Sequence, residues 1–125
     1  MNYKEKKILI LDDNPEILEM VQESLNIAGF SNLTSVQSQK EALEQFEEKS
    51  FDLVILDIML PEGSGFEVLK GIRKTSTVPV LFLSAISDIE KQYQGFELGA
   101  DDYIIKPFRP RDLELRILSI LKRAY

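Results

Sequence analysis

Five side chains that could carry out phosphate or metal chemistry stand directly after short apolar runs of the sequence. They are Asp12 and Asp13 after the first run, Asp57 after the third, Ser84 after the fourth and Lys106 after the fifth. Clustered carboxylates need a cation to neutralise them, and hard oxygen ligands suit Mg²⁺ or Mn²⁺ rather than Zn²⁺. A lysine can hold a phosphate oxygen, and a carboxylate can itself be the nucleophile that forms an acyl phosphate. These residue types therefore indicate metal-assisted phosphate chemistry, provided that the fold brings them together.

The apolar runs that precede these residues have the pattern of strands buried on both faces. They are continuous rather than alternating, and stretches with helical spacing separate them. The runs are Ile8–Leu11, Leu33–Val36, Leu53–Leu56, Val78–Leu83 and Tyr103–Ile105. The helical stripes are Ile17, Val21, Leu25 and Ala28; Ala42, Leu43 and Phe46; Phe66, Leu69 and Ile72; a sparser Ile89, Tyr93 and Phe96; and Leu113, Ile117, Ile120 and Leu121. We expect each stripe to face the core.

Five strands that alternate with five helices predict an α/β fold, a doubly wound five-stranded parallel sheet with helices on both faces. The flavodoxin-like strand order 2-1-3-4-5 is the expected topology. In that order the first and third strands are neighbours, and ligands bind at the carboxyl ends of the strands. The topology therefore places the three carboxylates side by side, with Ser84 and Lys106 on the same edge of the sheet.

Capping signals support these helices. Asn14 followed by Pro15 fits an N-cap with proline at the first helical position. Three pairs have capping-box spacing, namely Ser38/Glu41, Ser64/Glu67 and Ser87/Glu90. Gly29 and Gly99 stand where helix C-terminal glycines belong, whereas Arg109 is a poor N-cap for the last helix.

Composition excludes several classes of function. The 125 residues contain no linker-like or repeated segment, so residues 1–125 are expected to form one domain. The absence of cysteine and histidine excludes disulfides, thiolate metal sites, Ser-His-Asp catalysis and a phosphohistidine on this chain. A net charge of -6 argues against direct nucleic-acid binding. No apolar run approaches the roughly 18 residues of a membrane span, and no signal-peptide core follows the polar N-terminus, so we expect a cytoplasmic location without a membrane partner.

Four segments together resemble the receiver domains of two-component response regulators, which have a CheY-like fold, over essentially the whole chain. They are Ile10-Leu11-Asp12-Asp13; Leu56-Asp57-Ile58-Met59-Leu60-Pro61 with Gly65 beyond; Leu83-Ser84-Ala85; and Gly99-Ala100-Asp101-Asp102-Tyr103-Ile104-Ile105-Lys106-Pro107-Phe108. The resemblance implies that a sensor histidine kinase donates a phosphoryl group to Asp57. It also implies a regulator that assists its own Mg²⁺-dependent phosphorylation and dephosphorylation rather than an enzyme with turnover.

The resemblance further implies roles for the matching residues. Asp13 and Asp57 would ligate Mg²⁺ or Mn²⁺ directly, together with the Met59 carbonyl oxygen, and Asp12 would assist through water. Lys106 would contact the phosphoryl group, and the bond from Lys106 to Pro107 is expected to be cis. Ser84 and Tyr103 occupy the switch positions, so Ser84 is drawn to the phosphoryl group and Tyr103 turns inward. Because Met59 and Ile86 add apolar bulk beside the acceptor, we predict slow spontaneous dephosphorylation.

The stretch from Gly99 to Ile117 is most similar to the OmpR/PhoB subfamily. Such receivers dimerise through the fourth helix, fifth strand and fifth helix, and they usually precede a C-terminal winged-helix DNA-binding domain, which is absent from this chain. The resemblance therefore implies a homodimer when phosphorylated, a role in transcription regulation and DNA binding through that further domain. The pairs expected across the two-fold axis are Lys91 with Asp112, Asp102 with Arg116, and Asp101 with Arg123; the alternative is a solvated charged face.

Three alternatives remain open at this point. A magnesium phosphatase of the Asp-nucleophile type usually has a second Asp two residues after the nucleophile, where this chain has Met59. A phosphorylation-independent interaction module usually lacks part of the acidic set or the lysine, and this chain keeps all of them. A flavin-binding module is disfavoured because the loops after the first and third strands are acidic.

Overall fold

The computed structural model describes residues 2–125 and contains a five-stranded parallel sheet flanked by five helices. The strands are β1 (Ile8–Leu11), β2 (Leu33–Val36), β3 (Leu53–Leu56), β4 (Val80–Ser84) and β5 (Asp102–Ile105). The helices are α1 (Pro15–Ile27), α2 (Gln39–Glu48), α3 (Gly65–Arg73), α4 (Ile89–Glu97) and α5 (Pro110–Ala124), and a short 3-10 helix covers Tyr3–Glu5. A small antiparallel hairpin pairs Met59–Leu60 with Gly63–Ser64 between β3 and α3.

The strand order is β2-β1-β3-β4-β5 and all neighbours are parallel, which confirms the predicted 2-1-3-4-5 topology. In the central ladder Leu11 pairs with Leu56, so Asp12 and Asp57 each stand one residue beyond a paired position. In the outer ladder Ser84 pairs with Ile105, which places Lys106 next to Ser84. The register therefore brings the predicted site residues to one edge of the sheet.

The core forms two layers, one on each face of the sheet. One layer joins strand residues to α2, α3 and Tyr103, and it includes Ala42, Phe66 and Leu69. The other layer joins strand residues to α1 and α5. Because β1 and β3 are buried at every position, the loops that follow them rest on a rigid support.

Most of the predicted helix ends are confirmed. The Asn14 side chain accepts hydrogen bonds from the backbone at the start of α1, and Ser38 and Ser64 do the same for α2 and α3. Gly29 and Gly99 have positive φ angles, of 103° and 102°, as helix C-terminal glycines often do. Arg109 makes no capping hydrogen bond from its side chain.

Two local predictions around the fourth strand and helix are wrong. The predicted Ser87 cap is replaced by Asp88, whose carboxylate accepts from the Glu90 backbone N–H at 2.8 Å, so α4 begins one residue later than the Ser87/Glu90 spacing suggested. The strand begins at Val80 and not at Val78, because Pro79 has no N–H to donate to a ladder.

The predicted inward face of α4 is also wrong. Ile89, Tyr93 and Phe96 point to solvent, with exposed fractions of 54%, 54% and 46%. The residue of α4 that packs on the sheet is Gly95, where an added Cβ would lie 3.2 Å from the Phe82 ring. The helix approaches the sheet closely through a glycine, and its apolar stripe is left uncovered.

Within residues 2–125, none of the helices is both long enough and apolar enough to cross a membrane.

Candidate functional site

The end of β1 supplies two carboxylates with different surroundings. Asp12 is 4% exposed and Asp13 is exposed. The Asp12 carboxylate accepts a hydrogen bond from the Asn14 backbone N–H at 3.0 Å, which fixes the turn into α1. Burial raises the pKa of the Asp12 carboxyl above its ordinary value, against the opposing effect of a hydrogen bond from Lys106.

The end of β3 supplies Asp57, which is 6% exposed. Its backbone N–H donates to the Leu11 carbonyl at 3.0 Å, so the sheet ladder itself holds this residue beside β1. The Met59 backbone N–H donates to the Asp57 carboxylate at 3.3 Å. The ladder thus fixes the Asp57 backbone, and the following turn contributes a hydrogen bond to its carboxylate.

Lys106 bridges the two buried carboxylates. Its Nζ atom lies 2.6 Å from an Asp12 oxygen and 3.2 Å from an Asp57 oxygen. Burial alone would lower the pKa of Lys106, but the hydrogen bond to Asp12 and the charge of Asp57 outweigh burial, so its pKa is raised. The ammonium form is therefore the stable one. The peptide bond from Lys106 to Pro107 is cis, as expected.

Asp12, Asp13 and Asp57 form one acidic cluster. One oxygen from each carboxylate lies within 4.8 Å of the others, a geometry in which a single metal ion could contact all three. Three carboxylates and one ammonium leave two uncompensated negative charges, which a divalent cation would neutralise. Oxygen-only ligands of this kind suit a hard cation. The residues present therefore fit a divalent metal.

Ser84 and Tyr103 are on the neighbouring strands β4 and β5. Ser84 is fully buried at the end of β4, and its hydroxyl oxygen accepts from the Ile86 backbone N–H at 3.3 Å. Tyr103 is 7% exposed, so its ring already points inward, and its hydroxyl donates to the Ile86 carbonyl at 2.7 Å. Burial raises the pKa of the Tyr103 phenol, which keeps the proton on this donor. Both predicted switch residues thus contact the backbone of Ile86.

The predicted interface residues lie apart from the acidic cluster. Arg116 forms ion pairs within its own chain, at 3.1 Å to Asp102 and 3.2 Å to Asp112. Asp101 accepts from the Val80 backbone N–H at 2.8 Å. Two further members were predicted there: Arg123, which donates to the Ser119 carbonyl, and Lys91, which lines a groove beside α3.

The contacts of two contributors to the site were not predicted from the sequence. The Ile86 carbonyl accepts a hydrogen bond from the Tyr103 hydroxyl, and because it is a backbone group, no pattern of residue types predicts this contact. Gly65 packs against the backbone carbonyl of Asp57, where an added Cβ would lie 2.9 Å from the carbonyl carbon. The sequence shows the glycine, but only the fold shows what it touches.

Comparison with known proteins identifies the family. The family model described as "Response regulator receiver domain" matches residues 8–118. This chain belongs to that family. The match is to a regulatory domain, which agrees with the prediction that the chain is not an enzyme with turnover.

Two curated relatives of this receiver domain are named as transcriptional regulators. It is 45% identical over 122 residues to the probable transcriptional regulator ycf27 of Cyanidium caldarium, covering 98% of this chain and 49% of the relative. It is 42% identical over 118 residues to the transcriptional regulatory protein YvrH of Bacillus subtilis, covering 94% and 50%. The chain therefore spans about half the length of these relatives.

A solved structure agrees with the predicted subfamily. The response regulator DrrB, described as a Thermotoga maritima OmpR/PhoB homolog, superposes with a TM-score of 0.85 at 37% identity. That match covers 95% of this chain and 54% of the DrrB chain. The receiver fold and the OmpR/PhoB likeness predicted from the sequence are thus confirmed.

Proposed function

We propose that Asp57 of this receiver domain accepts a phosphoryl group from a sensor histidine kinase and that the modified domain switches its dimerisation and output. The observation that carries the proposal is the position of Asp57, which lies at the end of the central strand within 3.2 Å of the Lys106 ammonium and inside an acidic cluster. Family membership supports the class of reaction, and the place of Asp57 at the end of the central strand supports it as the acceptor.

In the proposed transfer, an Asp57 carboxylate oxygen forms a bond to phosphorus. The phosphorus–nitrogen bond of the donor phosphohistidine breaks, and its electron pair stays on the imidazole nitrogen. Lys106 then neutralises charge on the phosphoryl oxygens, and the Ser84 hydroxyl donates a hydrogen bond to one of them. This chain contributes mainly positioning and electrostatic stabilisation, which is what phosphoryl transfer requires.

The proposed cofactor is Mg²⁺, or Mn²⁺ in its place. Asp13, Asp57 and the Met59 carbonyl would hold it directly, and Asp12 would hold it through water. When bound, the ion supplies charge neutralisation for the phosphoryl oxygens. The exposed Asp13 is open to such an ion, whereas Asp12 is already engaged by Lys106.

The proposed switch is a shift between two populations. Tyr103 is inward in this structure, so the inward state is accessible to the unmodified chain. A phosphoryl group favours the inward state to the extent that Ser84 and Lys106 make better contacts there. The shared Ile86 backbone links those contacts to the start of α4.

The proposed output surface is formed by α4, β5 and α5, through which two copies would pair. Ile89, Tyr93 and Phe96 of α4 and Ile105 of β5 are all at least 40% exposed, which gives this surface an apolar centre. The charged residues around it are Lys91, Asp101, Asp102, Asp112, Arg116 and Arg123. Because Arg116 pairs with Asp102 within one chain, dimerisation would exchange those partners between copies.

For the whole protein we propose transcription regulation. The relatives are about twice as long as this chain and are named as transcriptional regulators. A C-terminal winged-helix domain would bind DNA, because a receiver with a net charge of -6 is repelled by nucleic acid.

The test of the acceptor is intact mass after incubation with acetyl phosphate and Mg²⁺, beside an Asp57→Asn control. A gain of one phosphoryl group that requires both Mg²⁺ and Asp57 is expected. No labelling of a folded chain would refute the acceptor and favour a phosphorylation-independent interaction module.

The test of the dimer surface is sedimentation of the phosphorylated chain. Arg116→Ala should weaken dimerisation by about tenfold, which corresponds to about 1.4 kcal/mol. Arg111→Ala is the matched control, because Arg111 is on the same helix but pairs with Glu114, which lies beside Lys4 and is not among the proposed interface residues. An unchanged dimer affinity for the Arg116 variant would remove its proposed role.

A further inference from the structure

A groove between the hairpin, α3 and the start of α4 adjoins the proposed output surface, with which it shares Lys91, and the proposed function assigns no ligand to it. It has a volume of about 490 Å³. Its floor and walls are apolar, formed mainly by Ile58, Leu60, Phe66, Met59 and Ile86. Met59 is 63% exposed, although it is a large apolar side chain.

Two lysines give this apolar groove a positive rim. Lys70 of α3 and Lys91 of α4 line it from opposite sides, and neither forms an ion pair within residues 2–125. Glu67, the carboxylate among the lining residues, accepts a hydrogen bond from the Gln39 side chain at 3.4 Å on the α2 side. Two unpaired cations on a protein of net charge -6 are complementary to an acidic ligand and not to a basic one.

We propose that this groove binds an acidic, amphipathic segment of a partner protein. Apolar side chains of the segment would cover Met59 and the apolar floor, and its carboxylates would pair with Lys70 and Lys91. An amphipathic helix in a hydrophobic groove is a common mode of peptide recognition. The apolar floor selects against a purely anionic ligand, because such a ligand would leave that surface exposed to water.

The position of the groove gives such a segment a regulatory role. Met59 stands two residues after Asp57, and Ile86 stands two residues after Ser84. A segment on these two side chains would cover one approach of water to Asp57 and so lengthen the lifetime of its phosphoryl group. This consequence rests on the proposed function, whereas binding to the groove does not.

The experiment is a titration of the unmodified, ¹⁵N-labelled chain, followed by backbone NMR shifts. The probe is a synthetic amphipathic helical peptide of about 18 residues, with Leu and Phe on one face and Glu along both margins. Shift changes are expected at Met59, Ser64, Lys70 and Ile86. Lys70→Glu should weaken binding about fivefold, the size of one partly exposed ion pair. Lys74→Glu, the same change just outside the groove, should leave the affinity unchanged.

Each contrary result overturns the proposal. One such result is the absence of shift changes in the groove at millimolar peptide. A second is that a peptide with every Glu replaced by Lys binds as tightly as the acidic peptide. A third is that Lys70→Glu and Lys74→Glu weaken binding equally. Shift changes in the groove with ATP but not with the peptide would also overturn it and identify a phosphate-bearing ligand. Because the chain is unmodified throughout, failure here is distinct from failure of Asp57 to accept a phosphoryl group.

Discussion

Replacing Gly65 by alanine should both destabilise the domain and slow its phosphorylation. Gly65 begins α3, and its backbone N–H donates to the Ile58 carbonyl at 2.9 Å. An added Cβ would lie 2.9 Å from the Asp57 carbonyl carbon, closer still to its oxygen, and 3.1 Å from a carbon of the Phe82 ring. Because the two closest atoms belong to the Asp57 backbone, rotation of a side chain cannot make room for the added Cβ.

The size of the effect follows from these distances. Carbon atoms pack best about 3.5–4.0 Å apart, so the Asp57 backbone or the start of α3 must move by about 0.5–1 Å. Overpacking of a tight site costs about 1–3 kcal/mol. A displacement of about 1 Å at a reacting group can reduce a rate by about 100-fold. The expected result is thus a lower free energy of unfolding and a rate of Asp57 labelling that falls by about 10- to 100-fold.

Gly71→Ala on the same helix is the matched control. There the added Cβ would approach only the end of the Leu43 side chain, at 3.1 Å, and that side chain can adjust. Alanine is favoured over glycine inside a helix by about 1 kcal/mol, so the control should be neutral or slightly stabilising.

Urea unfolding gives the free energies, and intact mass against time with acetyl phosphate and Mg²⁺ gives the rates. A Gly65→Ala variant that unfolds like the unmodified chain and is labelled at the same rate would show that the acceptor backbone is not held by this contact. A loss of rate in both glycine variants would assign the effect to α3 as a whole.

Three further changes test other contacts. Lys106→Met leaves the buried Asp12 carboxylate without its cation, so the free energy of unfolding in EDTA should fall by about 1–3 kcal/mol. The loss should be smaller in Mg²⁺, and an equal loss in EDTA and in Mg²⁺ would argue against metal binding. The hydrogen bond from Lys4 depresses the folded-state pKa of Glu114. The pair therefore stabilises the fold at pH values above the ordinary pKa of glutamate, and this stabilisation disappears as the pH falls through the folded-state pKa. Lys4→Met should therefore cost about 0.5–1 kcal/mol more at pH 7 than at pH 2, where only the contacts of Lys4 with the Ala28 carbonyl and the Phe30 ring are lost, and a cost independent of pH would exclude the ion pair as its cause. Arg109→Asp should supply the side-chain cap that α5 lacks and raise the free energy of unfolding by about 1 kcal/mol, whereas no gain in urea unfolding would show that this end is already satisfied.

Much of the fold was predictable because its signals are local and agree with one another. Continuous apolar runs predicted the central strands, since a strand covered on both faces has no solvent side to mark with polar residues. The acidic set was predictable for a related reason. Side chains that follow neighbouring parallel strands must meet at one edge, and the register that pairs Leu11 with Leu56 brings Asp12 beside Asp57.

The orientation of α4 was not predictable from its periodicity. A stripe at helical spacing shows that a helix has an apolar face, but it does not show whether that face meets the core or solvent. Here Gly95 allows the backbone itself to approach Phe82, and the stripe of Ile89, Tyr93 and Phe96 faces outward. The Ile86 carbonyl was also beyond prediction, because backbone acceptors are independent of residue type.

The charge balance of the site explains why a phosphoryl group on Asp57 would act as a switch. In this structure the shortest contact of Lys106 is with Asp12, at 2.6 Å, and its contact with Asp57 is longer, at 3.2 Å. Phosphorylation replaces one carboxylate charge on Asp57 with about two charges spread over three oxygens. In the proposed switch Lys106 would be attracted more strongly toward Asp57 than toward Asp12. Its backbone N–H donates to the Ser84 carbonyl at 2.8 Å, which would couple a shift of Lys106 to the ends of β4 and β5. The proposed switch would thereby pass a change of one charge at the end of β3 to the strand that carries Tyr103.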